Sequence, residues 1–181
     1  MANFTERKKK KRGTTKPIRN ALRDTAHSQT VAHQKMKTEL LRHILATIKY
    51  RFDKSINGSH KAFGDFSLGK GSRSPNEILQ HMCDVILSTR YFIEHGTLPH
   101  EKMAISSFEN GIERFNTELF KVDQLLEEKN LDINYSKRLI QGPFSDLLTH
   151  IGQIAMLQRL VGNPIDGEDF SRSEIKTGIN N

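Results

Sequence analysis

Apolar residues recur along this chain at three- and four-residue steps in four places, and no alternating run is long enough to suggest a strand. Met36, Leu40, Leu41, Ile44, Leu45, Ile48 and Phe52 form the first stripe and predict a core-facing helix over residues 30–55. Residues 56–74 lose the period. There Gly58, Gly64, Gly69 and Gly71 alternate with Ser, Lys and Phe, the composition of a long loop that is either functional or mobile. A second helix opens at Ser74-Pro75-Asn76-Glu77: Ser74 can cap, Pro75 suits the first helical position, and Glu77 completes a capping box. Ile78, Leu79, Met82, Val85 and Ile86 carry its stripe until Gly96 and Pro99 stop it. The third helix spans residues 101–128 through Ile105, Phe108, Ile112, Phe115, Leu119, Val122, Leu125 and Leu126. Gly111 lies inside it, a cost to the helix that signals close packing. Residues 130–141 read as a connector, and 142–162 as the fourth helix, opened by Gly142-Pro143 and closed by Gly162. Four amphipathic helices joined by loops predict an all-α four-helix bundle over residues 30–164. The polar segment 165–181 is expected to pack on it through Ile165, Phe170 and Ile175.

Three polar residues interrupt the fourth stripe. Asp146, His150 and Gln153 stand at i, i+4 and i+7, so they stack along one helix face. An acid and a histidine one turn apart can hold one divalent metal. His81, between Ile78 and Val85 on the second helix, sits on or beside its buried face and can meet them across the core, as bundle metal sites require. Two imidazoles and a carboxylate suit Zn²⁺, Fe²⁺, Ni²⁺ or Mn²⁺ and leave positions open for water or substrate. A second account stays open. His150 can be a hydrogen-bonded packing residue, and Asp146 can serve the dipole of a helix N-terminus. His43 is the reserve ligand, while His27, His33, His60, His95 and His100 read as surface or loop residues. Ser88, Ser106 and Ser107 read as ordinary helix-surface serines, and Cys83 as an inert core thiol. There is no P-loop and no HExxH.

Charge changes the picture only at one end. The net charge of +7 comes entirely from residues 1–24, which hold nine Lys and Arg against Glu6 and Asp24. The other 157 residues balance 19 basic against 19 acidic side chains. Residues 1–29 therefore read as a basic flexible tail. Such a tail can contact an anionic partner through nonspecific charge, but no aromatic residues interleave with the lysine run, so nucleic acid is not indicated. The apolar fraction of 35% includes no run of eighteen residues, so no membrane span is expected. One cysteine and no apolar N-terminal segment point to a reducing cytoplasm.

The segments ILQHMCDVILSTRYFIEHG (78–96) and GPFSDLLTHIGQIAMLQRLVGNP (142–164) together resemble the DinB-like superfamily. That family consists of four-helix bundles in an up-down-down-up arrangement with a divalent metal site. Its pattern places one histidine early in the second helix and two, four residues apart, in the fourth, followed by Gly-Gln. His81 matches the first, and His150-Ile151-Gly152-Gln153 matches the second fourth-helix histidine with its Gly-Gln. The remaining histidine falls on Asp146, which either makes a two-histidine, one-carboxylate set or marks a lost site. The resemblance implies Gln153 as a residue orienting a ligand or bound water, and a homodimer as the family's common assembly. It also implies a thiol-dependent S-transferase working with a low-molecular-weight thiol. The alternative is a non-catalytic stress-response or binding protein whose basic tail meets an anionic partner.

Overall fold

The computed structural model describes residues 16–101 and 104–179. The described residues are all-helical and include no strand: α1 (Lys16–Ile56), α2 (Pro75–His95), α3 (Phe108–Glu128), α4 (Ile133–Leu139) and α5 (Ser145–Leu160). None of these helices is long and apolar enough to cross a membrane. Contacts divide the chain into two units at Lys35/Met36. The first, taken by itself, contributes the helical residues 16–35, so the helix begins fourteen residues before the expected start and takes in half of the expected tail. Residues 1–15, with most of the basic run, lie outside those described.

The second unit has one apolar core. Leu45, Ile48 and Phe52 of α1, Leu79, Met82 and Ile86 of α2, Phe115, Leu119 and Val122 of α3, and Leu147 and Ile154 of α5 are sealed from solvent. Met36 and Leu40, expected on the α1 stripe, are instead 62% and 56% exposed; the buried face turns to Leu41. α2 starts at the capping box its sequence predicts, with Glu77 N–H donating to Ser74 Oγ and Ser74 N–H to a Glu77 carboxylate oxygen. Gly96 ends it with φ at 71°, a left-handed turn for which glycine carries no Cβ penalty. The long loop that precedes α2 is pinned in its middle. A 3-10 turn at Phe63–Asp65 drives Phe63 into the core against Phe108, ring centroids 5.4 Å apart.

α3 begins at Phe108 rather than at residue 101, because Ser107 is its N-cap and accepts from Asn110 N–H. Ser107 is thus a cap and not a surface serine. At Gly111 the backbone of α3 packs directly against side chains of α2. A Cβ there would lie 2.6 Å from Leu79 Cδ2, and the Cys83 thiol donates to the Gly111 carbonyl at 3.5 Å. Gly111→Ala is therefore expected to lower stability by about 1–3 kcal/mol, the cost of overpacking exceeding the gain in helix propensity. A urea midpoint equal to or above that of the wild type would refute this.

The largest difference from expectation is between residues 130 and 144. The connector is only residues 129–132. Asp132 caps α4 by accepting from Asn134 and Tyr135 N–H, and α4 passes into α5 through a π-helical turn at Ile140–Phe144. Gly142-Pro143 sits inside this turn instead of opening a helix. Proline has no N–H to give and crowds the preceding turn, which a wider π turn relieves. Ile140 O, which accepts the Ser145 backbone N–H across this turn, also accepts from Ser145 Oγ at 2.6 Å.

After α5 the chain forms a strap along α1. Ile165, Phe170 and Ile175 are half-buried, and Ile179 reaches the core. Arg51 lies 4.4 Å over the Phe170 ring. Glu168 accepts from Tyr50 Oη at 2.6 Å and also meets Lys54 and Ser173. The hydrogen bond from Lys54, with those from Ser173 and Tyr50, lowers the Glu168 carboxyl from 4.5 to about 2. Its folded pKa is depressed, so its contribution is complete above 4.5 and is lost as pH falls through about 2. Acidification across that window is expected to free the strap, seen as shifts of the Tyr50 and Phe170 ring signals that Glu168→Gln makes independent of pH. Rings whose signals shift equally in both proteins would count against it.

Candidate metal centre

His81 projects from the second turn of α2, and Asp146 and His150 from successive turns of α5, where α2 packs against α5. The Asp146 carboxylate lies between the two imidazoles. Its Oδ2 is 3.2 Å from His81 Nε2 and its Oδ1 is 3.4 Å from His150 Nε2. The rings meet edge to face with centroids 4.7 Å apart. One donor atom from each residue falls within 4.8 Å of the others. Among the described residues no other group of three such side chains does so. Ligand atoms about 2.0–2.2 Å from a tetrahedral Zn²⁺ stand about 3.3–3.6 Å from one another; each carboxylate–imidazole separation is close to that range, the two being made by different oxygens of Asp146.

His150 is buried, whereas His81 and Asp146 are half-buried. Gln153 Oε1 lies 3.0 Å from His150 Nδ1. In that amide orientation the oxygen can only accept, so Nδ1 carries the proton and Nε2 presents a lone pair, the tautomer a metal needs. That lone pair faces a carboxylate oxygen at 3.4 Å. Two acceptors face each other there, an arrangement satisfied by a cation between them, by a second proton on the ring, or by a turned Gln153 amide that hands the ring proton to Nε2.

The dipole account of Asp146 loses its basis. Phe144 and Ser145 already have helical backbone angles, so Asp146 is in the interior of a continuous helical segment and not at a free N-terminus. The packing account of His150 agrees with its burial but does not explain why His81 and Asp146 converge on it.

Two openings reach the triad. A cleft of about 950 Å³ is lined by His81 and Asp146, and one of about 350 Å³ by His150 and Gln153 with Ser72 and Arg73. Ser88 lines the larger one. The reserve ligand His43 is exposed and pairs with Thr177, away from the triad, and His60, His95 and His100 are exposed as expected. The side chains of His27 and His33 lie outside those described. Burial pushes the Cys83 thiol up to about 12, which leaves it protonated and inert. Tyr135 and Arg138, also in the larger cleft, are missed by a reading that makes 130–141 a connector. The capping Asp132 ahead of Ile133, Ser136 and Leu139 is the signal that places them on a helix.

Compared with known proteins, the chain matches no family model, no curated protein and no solved structure.

Proposed function

We propose that this chain is a DinB-like protein, an up-down-down-up four-helix bundle holding one divalent metal ion, and that it catalyses a thiol-dependent S-transfer in a reducing cytoplasm. What carries the reading is the Asp146 carboxylate, held 3.2 and 3.4 Å from imidazole nitrogens of two different helices. The likeness of residues 78–96 and 142–164 to the family supports it. His81, Asp146 and His150 would hold the ion, and its chemistry would be that of a Lewis acid that lowers the pKa of a thiol. The reaction class follows the family likeness: the thiol loses its proton to solvent, sulfur bonds to an electrophilic carbon, and that carbon's leaving group departs with the bonding pair. The chain's own residues supply the setting. Gln153 holds the His150 tautomer, the core beneath α5 fixes the two ligands one turn apart, and the clefts on either side give room for two substrates.

Metal content of the untagged full-length chain tests this, after separate loading with Zn²⁺, Ni²⁺, Fe²⁺ and Mn²⁺. Near-stoichiometric metal, lost in His81→Ala and in His150→Ala with helical content unchanged, is the expected result. Absence of metal from the wild type, or metal retained by His150→Ala, would overturn the reading.

A further inference from the structure

The larger cleft contains more than the metal ligands. Beyond His81 and Asp146 it is lined by Arg138 and by apolar surface, notably Phe92, Leu98 and the Tyr135 ring. Phe92 and Tyr135 stack with centroids 5.7 Å apart and planes 4° from parallel. Phe92 and Leu98 are 44% and 64% exposed, large apolar side chains left facing water. Arg138 is exposed, and among the described residues no carboxylate pairs with it. The two acids in the cleft are engaged elsewhere: Asp84 accepts from Gln80 and Asp146 lies between the histidines. Tyr135, one turn from Arg138 on α4, has its hydroxyl closed off from water and without a hydrogen-bond partner.

The π turn explains how Arg138 and the metal ligands come to share one cleft. Arg138 and Asp146 are eight residues apart, which in an unbroken α-helix points them about 80° apart around the axis. A π turn absorbs about one residue, so the eight act as seven and bring the two within about 20° of one face.

We propose that the larger cleft binds an amphipathic organic anion, its carboxylate on Arg138 and its apolar body against Phe92, Tyr135 and Leu98. A guanidinium presents paired N–H donors that match a carboxylate, and the adjacent stacked rings match a flat apolar body. This makes such an acid the substrate class that meets the thiol, a role that rests on the metal-enzyme reading. The anion subsite itself needs no metal.

The test uses the metal-free full-length chain and two probes, 2-naphthoate and its uncharged amide, followed by naphthyl fluorescence. Naphthoate is expected to bind roughly tenfold more tightly than the amide, the difference a charge-assisted pair supplies. Arg138→Gln, a change at an exposed helix position, should abolish that preference while leaving amide binding unchanged. Phe92→Ala should weaken both probes alike. Equal binding of the two probes, no binding of naphthoate, or an Arg138→Gln variant that keeps the preference would each overturn the proposal. So would naphthoate binding that appears only with Zn²⁺ and disappears in His150→Ala, because the acid would then sit on the metal. Zinc stoichiometry of the same preparation is read separately, so loss of the metal reading and loss of the anion subsite give different results.

Discussion

Replacing Arg42 with methionine is expected to remove about 3–5 kcal/mol of stability, measured as a fall in the urea midpoint at unchanged slope. Arg42 and Asp123 form a forked pair between α1 and α3, with Nε and Nη2 each 2.9 Å from a carboxylate oxygen. Asp123 is 2% exposed. Its second oxygen also accepts from Ile179 N–H at 3.1 Å. Removing the guanidinium leaves that carboxylate buried with one backbone N–H for company, and an uncompensated buried charge costs more than the pair ever contributes. The double variant Arg42→Met with Asp123→Leu removes both charges and should recover most of the loss. A single variant within about 1 kcal/mol of the wild type would show the pair to be no more than a surface ion pair.

Zinc binding is expected to vanish in Asp146→Ala and to weaken about 10–100-fold in Gln153→Ala, the range typical for groups that orient a ligand rather than donate to the metal. Asp146 supplies the only anionic donor of the three, and its two oxygens reach both imidazoles. Gln153 acts through His150: without its oxygen at Nδ1 the ring is free to take the other tautomer and to turn. Both side chains lie outside the apolar core, so neither change should move the thermal midpoint by more than about 1 kcal/mol equivalent. Competition with a chromogenic chelator separates the two cases. Equal affinity in wild type and Asp146→Ala would remove the carboxylate from the site.

Elements whose ends are written in local side chains were legible in sequence. Ser74 to Glu77 announces α2 through a reciprocal cap, and Gly96 closes it, because both devices act within a few residues. The pairing of Asp146 with His150 was legible for the same reason, since helical spacing alone puts them one turn apart. His81 is different. Its arrival 65 residues away from Asp146 depends on how α2 packs on α5, which the helical period of α2 leaves open and the family resemblance narrows. The helix start at Gly142-Pro143 was misread because proline ordinarily ends or opens an α-helix, and a π turn that accommodates it has no local sequence signature. That error hid α4 and with it Tyr135 and Arg138. Arg42 with Asp123, and Gln158 with Ser59, are pairings of distant polar residues that periodicity does not reveal.

The Asp123–Ile179 contact also makes the strap observable in solution. Ile179 lies in no helix, so its amide has no ladder partner and owes its protection to one carboxylate oxygen of α3. Hydrogen exchange at that single amide therefore reports detachment of the strap, whereas amides in the middle of α2 exchange only when the core opens. If the strap peels away as a separate unit, the two will differ in their response to denaturant: little dependence for Ile179, and the full dependence of global unfolding for α2. One backbone N–H thus distinguishes a fold that opens in stages from one that opens all at once.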